Sequence, residues 1–547
     1  MGDLIPFPAL RAPYNDPCEP PQGGLISVLG AKDLGCYARR VNVIKDRGPR
    51  PERVIAVVGA GASGILTTTQ LIAQAAVLSR DYKLRIQLFD HTGEPATGPA
   101  YGTPHECHIL NMRASTMSMY ADRPHHFLDW LDSRIPQGNR PVSGDAYIPR
   151  AQYGVYLREQ LYTAVEDAHR HGIEVEFVKA RVTDCLPGAG KALIQCGDVV
   201  YSCDAAVLCS GDLPGKGLPE LAGSPAYLPS AWRYDDIAGI PSTASVAVIG
   251  SSLTAVDAVV LLDALGHQGE IRCFSRLRSL PKVQGAASTP WKSQYVTKER
   301  VEELTGSGAR QATLSEVAGL FRQEIELATG APPDWEAALR SARRPVTETL
   351  PEDIRDAAEG RNRWYAALDA TGHLAPHLWH RMDDAAKEVF LAKHASLWAM
   401  YRHSMPLPNA EKLWRLVRAG QLHAHTGLRA AVAHGGRHTL ICVEDGRERE
   451  FGADYVINAT GASPDITELD DPLIGNLRQA GRLRPHRHGG VDVDFGTGRL
   501  IGLDGTASTP VYFVGPLTRG VHFYTNSVET LRTNSTATAR SVLRGLG

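Results

Sequence analysis

The sequence predicts an α/β protein that contains two strand–turn–helix–strand units followed by a long helical segment. The first unit reads RVIAVV, a glycine-rich turn, an apolar helix and the strand LRIQLFD, over residues 53–90. The second reads SVAVIG, the helix LTAVDAVVLLDAL and the strand EIRCFSR, over residues 245–276. Short β-branched runs that end in glycine and lead into helical spacing are typical of βαβ units. A parallel sheet is therefore expected in each unit.

Size and charge favour a multi-domain protein that acts on a small molecule. A chain of 547 residues is too long for one small core. Its 58 basic and 60 acidic residues give no electrostatic reason to expect nucleic acid or an anionic membrane as the main partner. Because the sequence has no apolar run of about 18 residues and no secretory signal at its start, we expect a cytoplasmic protein without a membrane segment.

The cysteines and histidines give no pattern for a metal or a redox dithiol. Nine cysteines include no Cys-x-x-Cys pair and no zinc-ligand spacing. His105-Glu106-Cys107-His108 and the pair at 125–126 raise the alternative of a metal site, but no third and fourth ligand recurs at a typical spacing. We therefore expect no metal.

The first glycine-rich turn has the pattern and the context of a dinucleotide-binding loop. Gly59 permits a tight turn, Gly61 lets backbone N–H groups approach a pyrophosphate, and Gly64 lets the helix pack on the strand. Ser63 lies within the same loop, and Asp90 ends the second strand, where an acid binds ribose hydroxyls. The alternative is a structural glycine turn with a surface aspartate.

The second turn keeps one glycine of the three. Gly250 is followed by Ser251 and Ser252, so a second nucleotide site is predicted with lower specificity, and a purely structural turn is the alternative.

The strand that follows this second turn ends in basic residues. Ser275, Arg276 and Arg278 include no acid to bind a 2′-hydroxyl and two guanidinium groups to pair with a 2′-phosphate. We therefore predict NADPH rather than NADH; the alternative is a solvated edge.

Two pairs of small-residue segments also suggest contacts with a nucleotide. Gly461 ends the strand VINATG, which resembles the earlier VLCSG and is typical of a crossing between two nucleotide domains. Gly515 follows the strand VYFV, and Asn526 precedes the last helix. Backbone N–H groups at these positions are predicted to stabilise negative charge on a cofactor.

Seven segments together resemble the bacterial FAD/NAD(P)-binding flavoproteins with two nucleotide domains. The resemblance runs from about residue 53 to the end, and its motifs are VIAVVGAGASGI, GPAYGTPHECHILNMRASTMSMYADRPHHFLDWL, YIPRAQYGVYL, VAVIGSSLTAVDAVVLL, SRLRSLP, VINATG and VYFVGPLTRG. Within that family, GPLTRGVHFYTNSVETLR and the Asn-Ala-Thr-Gly stretch resemble the flavin-dependent L-aspartate N-monooxygenases that form nitrosuccinate in natural-product biosynthesis.

The resemblance implies a reaction. NADPH would reduce FAD, molecular oxygen would add at flavin C4a, and the hydroperoxide would oxidise the amine of L-aspartate through N-hydroxyaspartate to nitrosuccinate. Without a Cys-x-x-Cys pair a disulfide reductase is excluded, so the electrons leave to oxygen or another acceptor. The alternatives are an N-monooxygenase for another amine, an oxidase-like reductase, and a non-catalytic FAD-binding redox sensor or scaffold. A homodimer remains open.

The same resemblance suggests catalytic residues. Asn111 and Met112 lie in the segment expected to pass the isoalloxazine, together with Ser115. His522 and Tyr524 lie in the terminal loop expected beside it, within hydrogen-bonding reach of flavin or oxygenated intermediates. For Met112 the alternative is core packing.

Substrate residues are predicted from charge. The amine must be neutral to react, and cations both lower its pKa and hold carboxylates. The candidates are Arg113, Lys292, Arg402 and Arg519, for each of which an ordinary ion pair is the alternative.

These predictions divide the chain into five parts. Residues 1–50 are an N-terminal extension, 51–214 the first part of the FAD domain, and 215–300 the NADPH domain. Residues 301–420 form a helical substrate-covering region, and 421–547 the second part of the FAD domain.

Overall fold

The computed structural model describes residues 51–546, except 96–97, 137–139, 189, 212, 214–216, 278–279, 288–289 and 445. The predicted extension over residues 1–50 and the predicted nucleotide ligand Arg278 therefore lie outside the described residues. Among the described residues, no helix is long and apolar enough to cross a membrane.

Strands and helices alternate at both ends of the described chain, and helices dominate between them. The strands are β1 Glu52–Val58, β2 Lys83–Asp90, β3 Ile173–Lys179, β4 Asp184–Pro187, β5 Ala192–Cys196, β6 Val199–Cys203, β7 Ala205–Leu208, β8 Tyr227–Leu228, β9 Val246–Ile249, β10 Ile271–Phe274, β11 Leu422–His425, β12 Leu428–His434, β13 Arg437–Glu444, β14 Arg447–Ala453, β15 Tyr455–Asn458, β16 Arg499–Ile501 and β17 Ala507–Phe513. The α-helices are α1 Ala62–Ala76, α2 His126–Asp132, α3 Arg150–Arg170, α4 Tyr234–Ala238, α5 Leu253–Ala264, α6 Lys298–Leu304, α7 Leu314–Thr329, α8 Trp335–Ser341, α9 Val346–Ala358, α10 Arg363–Ala370, α11 Ala375–Arg381, α12 Asp384–Val389, α13 Ala395–Arg402, α14 Leu407–Arg418, α15 Pro472–Gln479, α16 Arg519–His522 and α17 Val528–Leu546.

The first sheet has the strand order β16-β17-β7-β1-β2-β3. β1 pairs in parallel with β2 and β7, and β17 pairs in parallel with β7. The carboxyl ends of these strands therefore meet at one edge, which is where ligands bind in open α/β sheets. The buried faces of α1, α3 and α17 contribute to the core against this sheet. The predicted fold class, with two Rossmann-like domains and a helical insert, is confirmed.

The second sheet has the order β11-β10-β9-β15-β8, and its neighbouring strands pair in parallel. Helix α5 packs against it with every residue from Ala255 to Leu262 buried, which explains why this helix is apolar on nearly all faces.

The second sheet corrects a domain boundary. Strands β11 and β15 belong to it, so the chain returns to the first sheet after Asn458 and not at residue 421 as predicted. The alternation of side chains along a sequence predicts a strand but does not predict the strand with which it pairs. That partner is set by contacts between residues far apart in the sequence. Helices α6 to α14 span Lys298 to Arg418, and the assignment of residues 301–420 to a substrate-covering region stays a prediction.

Candidate cofactor and substrate site

The three glycines of the first loop are required for different structural reasons. Gly59 has φ +103°, and a Cβ there would lie 2.8 Å from the carbonyl oxygen of Cys209. A Cβ on Gly64 would lie 1.7 Å from the carbonyl oxygen of Gly59, so helix and strand meet backbone to backbone. Gly61, in contrast, has no atom within 4 Å of its Cβ position. That open space is where a pyrophosphate approaches the loop.

The helices after the two glycine turns begin without a side-chain cap. Neither α1 nor α5 has a capping side-chain hydrogen bond or an acid in its first turn. Helices α6 and α7 in the insert are capped by Thr297 and Thr313. An uncapped N-terminus leaves N–H groups available for an anion, so the chemistry and the space at α1 fit the FAD pyrophosphate.

Asp90 and Gly515 both adjoin this loop. Asp90 accepts hydrogen bonds from the Ala60 N–H at 3.0 Å and from Thr92, so its carboxylate also fixes the loop. Gly515 has φ +141°, and a Cβ there would lie 3.3 Å from the Ser63 hydroxyl oxygen. The loop after β17 therefore lies directly beside the start of α1.

The second turn repeats the backbone geometry of the first. Gly250 has φ +132°, and a Cβ there would lie 2.4 Å from the carbonyl oxygen of Ala459, as the Cβ of Gly59 would meet Cys209. The segment ending in Gly461 is thus the counterpart of the segment after β7. Ser251 is buried, and Ser252 is the N-cap of α5.

At the end of β10, the Ser275 N–H donates to the carbonyl of His425. Arg276 is exposed, and its guanidinium has no partner among the described residues. It remains the predicted ligand for a 2′-phosphate.

Gln284 joins the FAD domain to the insert. Its amide donates to the carbonyl oxygens of Asn111 and Ser404, both at 2.8 Å, and its oxygen accepts from the Tyr147 hydroxyl at 2.7 Å. Burial raises the pKa of Tyr147 to about 12, against the opposing charge of Arg113. The phenol therefore stays protonated and donates.

Arg113 is a buried cation whose donors are already engaged. It pairs with Asp145 at 3.0 Å and donates to the carbonyls of Gly285 and Ala286. These contacts favour a role in holding the domains together. Met112 is partly buried and packs against the first core, which favours its packing alternative, and the Ser115 N–H donates to the carbonyl of Gly144.

Arg402 has a different environment, although it is just as buried. Its side chain is 6% exposed, Nη1 lies 3.5 Å from Oδ1 of Asp369, and the guanidinium carbon lies 4.9 Å from the centre of the Tyr524 ring. Within the described part of the chain, no hydrogen bond from this guanidinium is found. Gly372 makes room for it, because a Cβ there would lie 2.2 Å from Nη2.

The charges of Arg402 and Asp369 act on two tyrosines, Tyr365 and Tyr524. Burial, and then the Asp369 charge, raise the pKa of Tyr365 well above its usual range. Burial also raises the pKa of Tyr524, although the charge of Arg402 opposes the shift. Both phenols are therefore neutral donors. We call Arg402, Asp369, Tyr365 and Tyr524 the Arg402 cluster.

His522 is fixed by the protein itself. Nδ1 lies 3.1 Å from the Thr518 hydroxyl oxygen, and Nε2 lies 3.1 Å from the carbonyl oxygen of Phe495. Burial lowers the pKa of His522 to about 4. These contacts favour a neutral histidine that shapes the loop next to Tyr524.

The loop itself is strained and held by the insert. Phe523 has φ +54°, which side chains rarely adopt, and it stacks on Trp379 with ring centres 4.6 Å apart. The Trp379 indole N–H also donates to the carbonyl of Gly520 at 2.7 Å. Asn526 is exposed just beyond this loop.

The other two predicted substrate cations differ from Arg402 in their exposure to solvent. Lys292 and Arg519 are both exposed, unlike Arg402. Sequence reasoning missed Tyr147, which begins the motif YIPRAQYGVYL, and it missed Gln284, Tyr365 and Asp369, which lie in no quoted motif. The one available signal was the polar residue Asp369 on the otherwise apolar run WYAALDA.

The histidines at 105 and 108 contact protein groups. His108 Nδ1 lies 2.8 Å from the Thr103 hydroxyl oxygen, and burial followed by the Arg150 charge lowers the pKa of His108 to about 4. In the described ranges, no group of three or more His, Cys, Asp or Glu side chains is placed to hold a metal ion.

Comparisons with known proteins agree with this geometry. Residues 56–213 match the model of the FAD-NAD(P)-binding family. The chain is 23% identical to the uncharacterised protein YdhS of Escherichia coli over 487 residues, 78% of this chain and 86% of that protein. It is also 23% identical to the nitrosuccinic acid synthase npaA of Aspergillus oryzae over 584 residues, 86% of this chain and 89% of that protein.

A solved structure supports the same fold. The ornithine N-hydroxylase of Kutzneria sp. 744 superposes with a TM-score of 0.54 at 14% identity, covering 91% of this chain and all of that one. Residues 56–213 therefore match the FAD-NAD(P)-binding family, and the chain has the fold of the ornithine N-hydroxylase.

Proposed function

We propose that this protein is an NADPH-dependent flavin N-monooxygenase that oxidises the amine of L-aspartate through N-hydroxyaspartate to nitrosuccinate. The observation that carries the proposal is Arg402, a buried cation without a hydrogen bond to the described protein. A guanidinium has five N–H donors, and leaving a buried charged group unpaired costs several kcal/mol. A bidentate carboxylate would satisfy it.

The position of Arg402 links that carboxylate to the flavin. Tyr524, under the guanidinium, belongs to the loop after β17, and Gly515 at the start of that loop adjoins the first glycine turn. An anion bound at Arg402 would therefore contact the far end of a loop that begins beside the predicted FAD pyrophosphate site. Such a position would suit one carboxylate of an acidic amino acid.

The comparisons and the charges support the reaction type and the reductant. A relative is named nitrosuccinic acid synthase, and the superposed structure is an ornithine N-hydroxylase. Arg276 is exposed at the end of β10, where an acid would otherwise bind the ribose of NADH. These observations favour NADPH as the electron donor.

Bound FAD supplies the acceptance of hydride and the activation of molecular oxygen. The chain's own contribution is to orient the amine and to exclude water. Helices of the insert cover the loop after β17 through the Trp379–Gly520 hydrogen bond and the stacking of Phe523 on Trp379. A dry site favours oxygen transfer to substrate over the release of peroxide.

The test measures NADPH and oxygen consumption by the FAD-loaded protein with and without L-aspartate, while peroxide and nitro product are followed together. We expect aspartate-dependent turnover, little peroxide, and weaker activity when NADH replaces NADPH. Arg402→Gln should lower kcat/KM for aspartate by about 100-fold, because a charge-assisted pair is lost. Arg361→Gln, which alters an exposed arginine paired with Asp356, is the matched control and should behave as wild type.

A rate that is indifferent to aspartate, with peroxide as the product, contradicts the proposal. Turnover that is absent with every amine, together with a change of association state on reduction, would instead favour the sensor alternative.

One observation favours a second candidate substrate. A cavity of about 560 Å³ in the insert is lined by Trp364, Trp379, Trp398, Tyr401 and Phe523, among others. Tyr401 and Phe523 immediately precede Arg402 and Tyr524 in the chain. An amino acid with a large apolar side chain would use both the cluster and the cavity, so L-phenylalanine belongs in the same assay.

A further inference from the structure

We propose that Asp369 binds the substrate ammonium, so that Asp369 and Arg402 together recognise the zwitterionic end of an amino acid. This inference rests on the proposed function and extends it to a residue in the last turn of α10. Arg402 would hold the carboxylate, and Asp369 would bind the neighbouring ammonium and accept the proton that it must lose before the neutral amine is oxidised.

The geometry of Asp369 is that of an acceptor without its donor. Its Oδ1 atom is buried and accepts no hydrogen bond from the described residues. The Arg402 Nη1 atom lies 3.5 Å away, which is within ion-pair range but too long for a good hydrogen bond. A buried acceptor in this state costs free energy that a bound donor recovers.

Other buried ion pairs in the molecule show what a structural pair looks like. Arg150 and Asp257 make two contacts of 2.8 and 3.1 Å, and Arg150 also donates to the carbonyl of Ile109. Lys282 and Asp353 approach to 2.9 Å. These pairs use their own hydrogen-bonding groups. The looser contact of the Arg402 cluster leaves hydrogen bonds on both partners for a ligand.

Free amino acids match this arrangement. The carboxylate and the ammonium stand on the same carbon atom, so a guanidinium and a carboxylate side by side bind both at once. Tyr365 and Tyr524 are neutral donors and cannot balance an ammonium. Of the other acids, Asp145 is already paired with Arg113 at 3.0 Å.

Glu529 is the rival acid that the test must separate. It lies in the first turn of α17, and its charge acts on both Arg402 and Tyr524. Unlike Asp369 Oδ1, it has no oxygen found buried without a hydrogen bond in the described part of the chain.

The experiment compares L-aspartate with succinate, which has both carboxylates but no amine. The FAD-loaded protein is titrated with each, and binding is followed by the flavin absorbance spectrum. Wild type should bind aspartate more tightly than succinate. Asp369→Asn should weaken aspartate binding by about 10- to 100-fold and leave succinate binding within about 3-fold, because a charge-assisted hydrogen bond to the ammonium is lost.

Four further variants make the result specific. Arg402→Gln should weaken both ligands, Asp369→Glu should recover part of the aspartate preference, and Asp356→Asn, an exposed acid of the same insert, should leave both affinities unchanged. Glu529→Gln should not change the ratio of the two affinities.

The inference is overturned if wild type binds aspartate no better than succinate, if Asp369→Asn keeps the wild-type ratio, or if Glu529→Gln alone removes it. The binding readout needs no turnover. If Asp369→Asn keeps the wild-type ratio of affinities while wild type still oxidises aspartate, only this inference is rejected. If wild type shows no amine-dependent turnover, the proposed function is rejected.

Discussion

Burial by itself does not tell which charged residues act on a ligand. Arg113 and Arg402 are both about 6% exposed, yet one donates to a carboxylate and two carbonyls while the other has a loose ion pair and an aromatic ring. The difference lies in whether the protein supplies acceptors for the guanidinium. That difference is why we assign the substrate carboxylate to Arg402.

Two buried histidines predict how stability changes with pH. Burial lowers the pKa of His108 and of His522 to about 4, whereas the unfolded chain titrates near the ordinary value of about 6.5. Between these values the unfolded state binds more protons, so the free energy of unfolding falls as the pH decreases from about 6.5 to 4. The titration of each histidine should lower the free energy of unfolding by about 2 kcal/mol between pH 7.5 and 5.

Urea unfolding of the FAD-loaded protein at pH 7.5 and 5 measures this loss. His522→Gln removes one titrating group and should reduce the loss of stability between pH 7.5 and 5 by about 2 kcal/mol. The same slope in wild type and variant would show that His522 titrates normally in the folded state.

At the scale of single elements, two glycines at the start of α1 are expected to affect different properties. Gly64 affects the stability of the fold, and Gly61 affects the binding of FAD. A Cβ on Gly64 would collide with the carbonyl oxygen of Gly59 at 1.7 Å, whereas a Cβ on Gly61 would meet no protein atom. We therefore expect Gly64→Ala to destabilise the fold by about 3 kcal/mol through forced backbone shifts. Gly61→Ala should fold normally but retain at least about tenfold less FAD, because its methyl group occupies the pyrophosphate position.

Bound FAD after gel filtration and the urea midpoint give the two readouts. Gly475→Ala in α15, whose Cβ position also has no neighbour, is the control and should match wild type in FAD content. Equal FAD binding by Gly61→Ala and wild type would contradict a pyrophosphate at this loop.

The insert shows how elements from different parts of the chain build one loop. Phe523 keeps a φ of +54° while it contacts Trp379 and lies 4.9 Å from Trp398. Such a conformation persists where the surrounding packing overdetermines it. The helices α11 and α13 therefore help to set the position of Tyr524.

At the scale of the whole molecule, one buried ion pair fixes the two nucleotide domains to each other. Arg150 lies in α3 beside the first sheet, and Asp257 lies in α5 beside the second, with their closest atoms 2.8 Å apart. Burial raises the pKa of Asp257, and the charge of Arg150 opposes that shift. This pair is one of several contacts that hold the two domains together.

Asp257→Ala leaves Arg150 buried without its partner and should lower the free energy of unfolding by about 3–5 kcal/mol. The double variant Arg150→Met/Asp257→Leu removes both charges and should recover most of that loss. The urea midpoints of wild type, Asp257→Ala and the double variant measure the loss of stability and its recovery. A single variant as stable as wild type would mean that water reaches this pair and that the domains are held elsewhere.

Local spacing in the sequence was enough to determine the two glycine turns, their flanking strands and the helical region between Lys298 and Arg418. These features repeat over a few residues, so their physical causes are local: φ values, helical periodicity and the β-branched runs. The resemblance to two-domain flavoproteins depended on the same motifs.

Long-range contacts decided the rest. The pairing of β11 and β15 with the second sheet, and the meeting of Arg402 with Asp369 and Tyr524, join residues that no local pattern connects. Sheet partners and buried clusters are selected by burial and pairing energies summed over the whole fold. For that reason Arg402 was predicted as one cation among four, while Asp369 emerged from the tertiary structure.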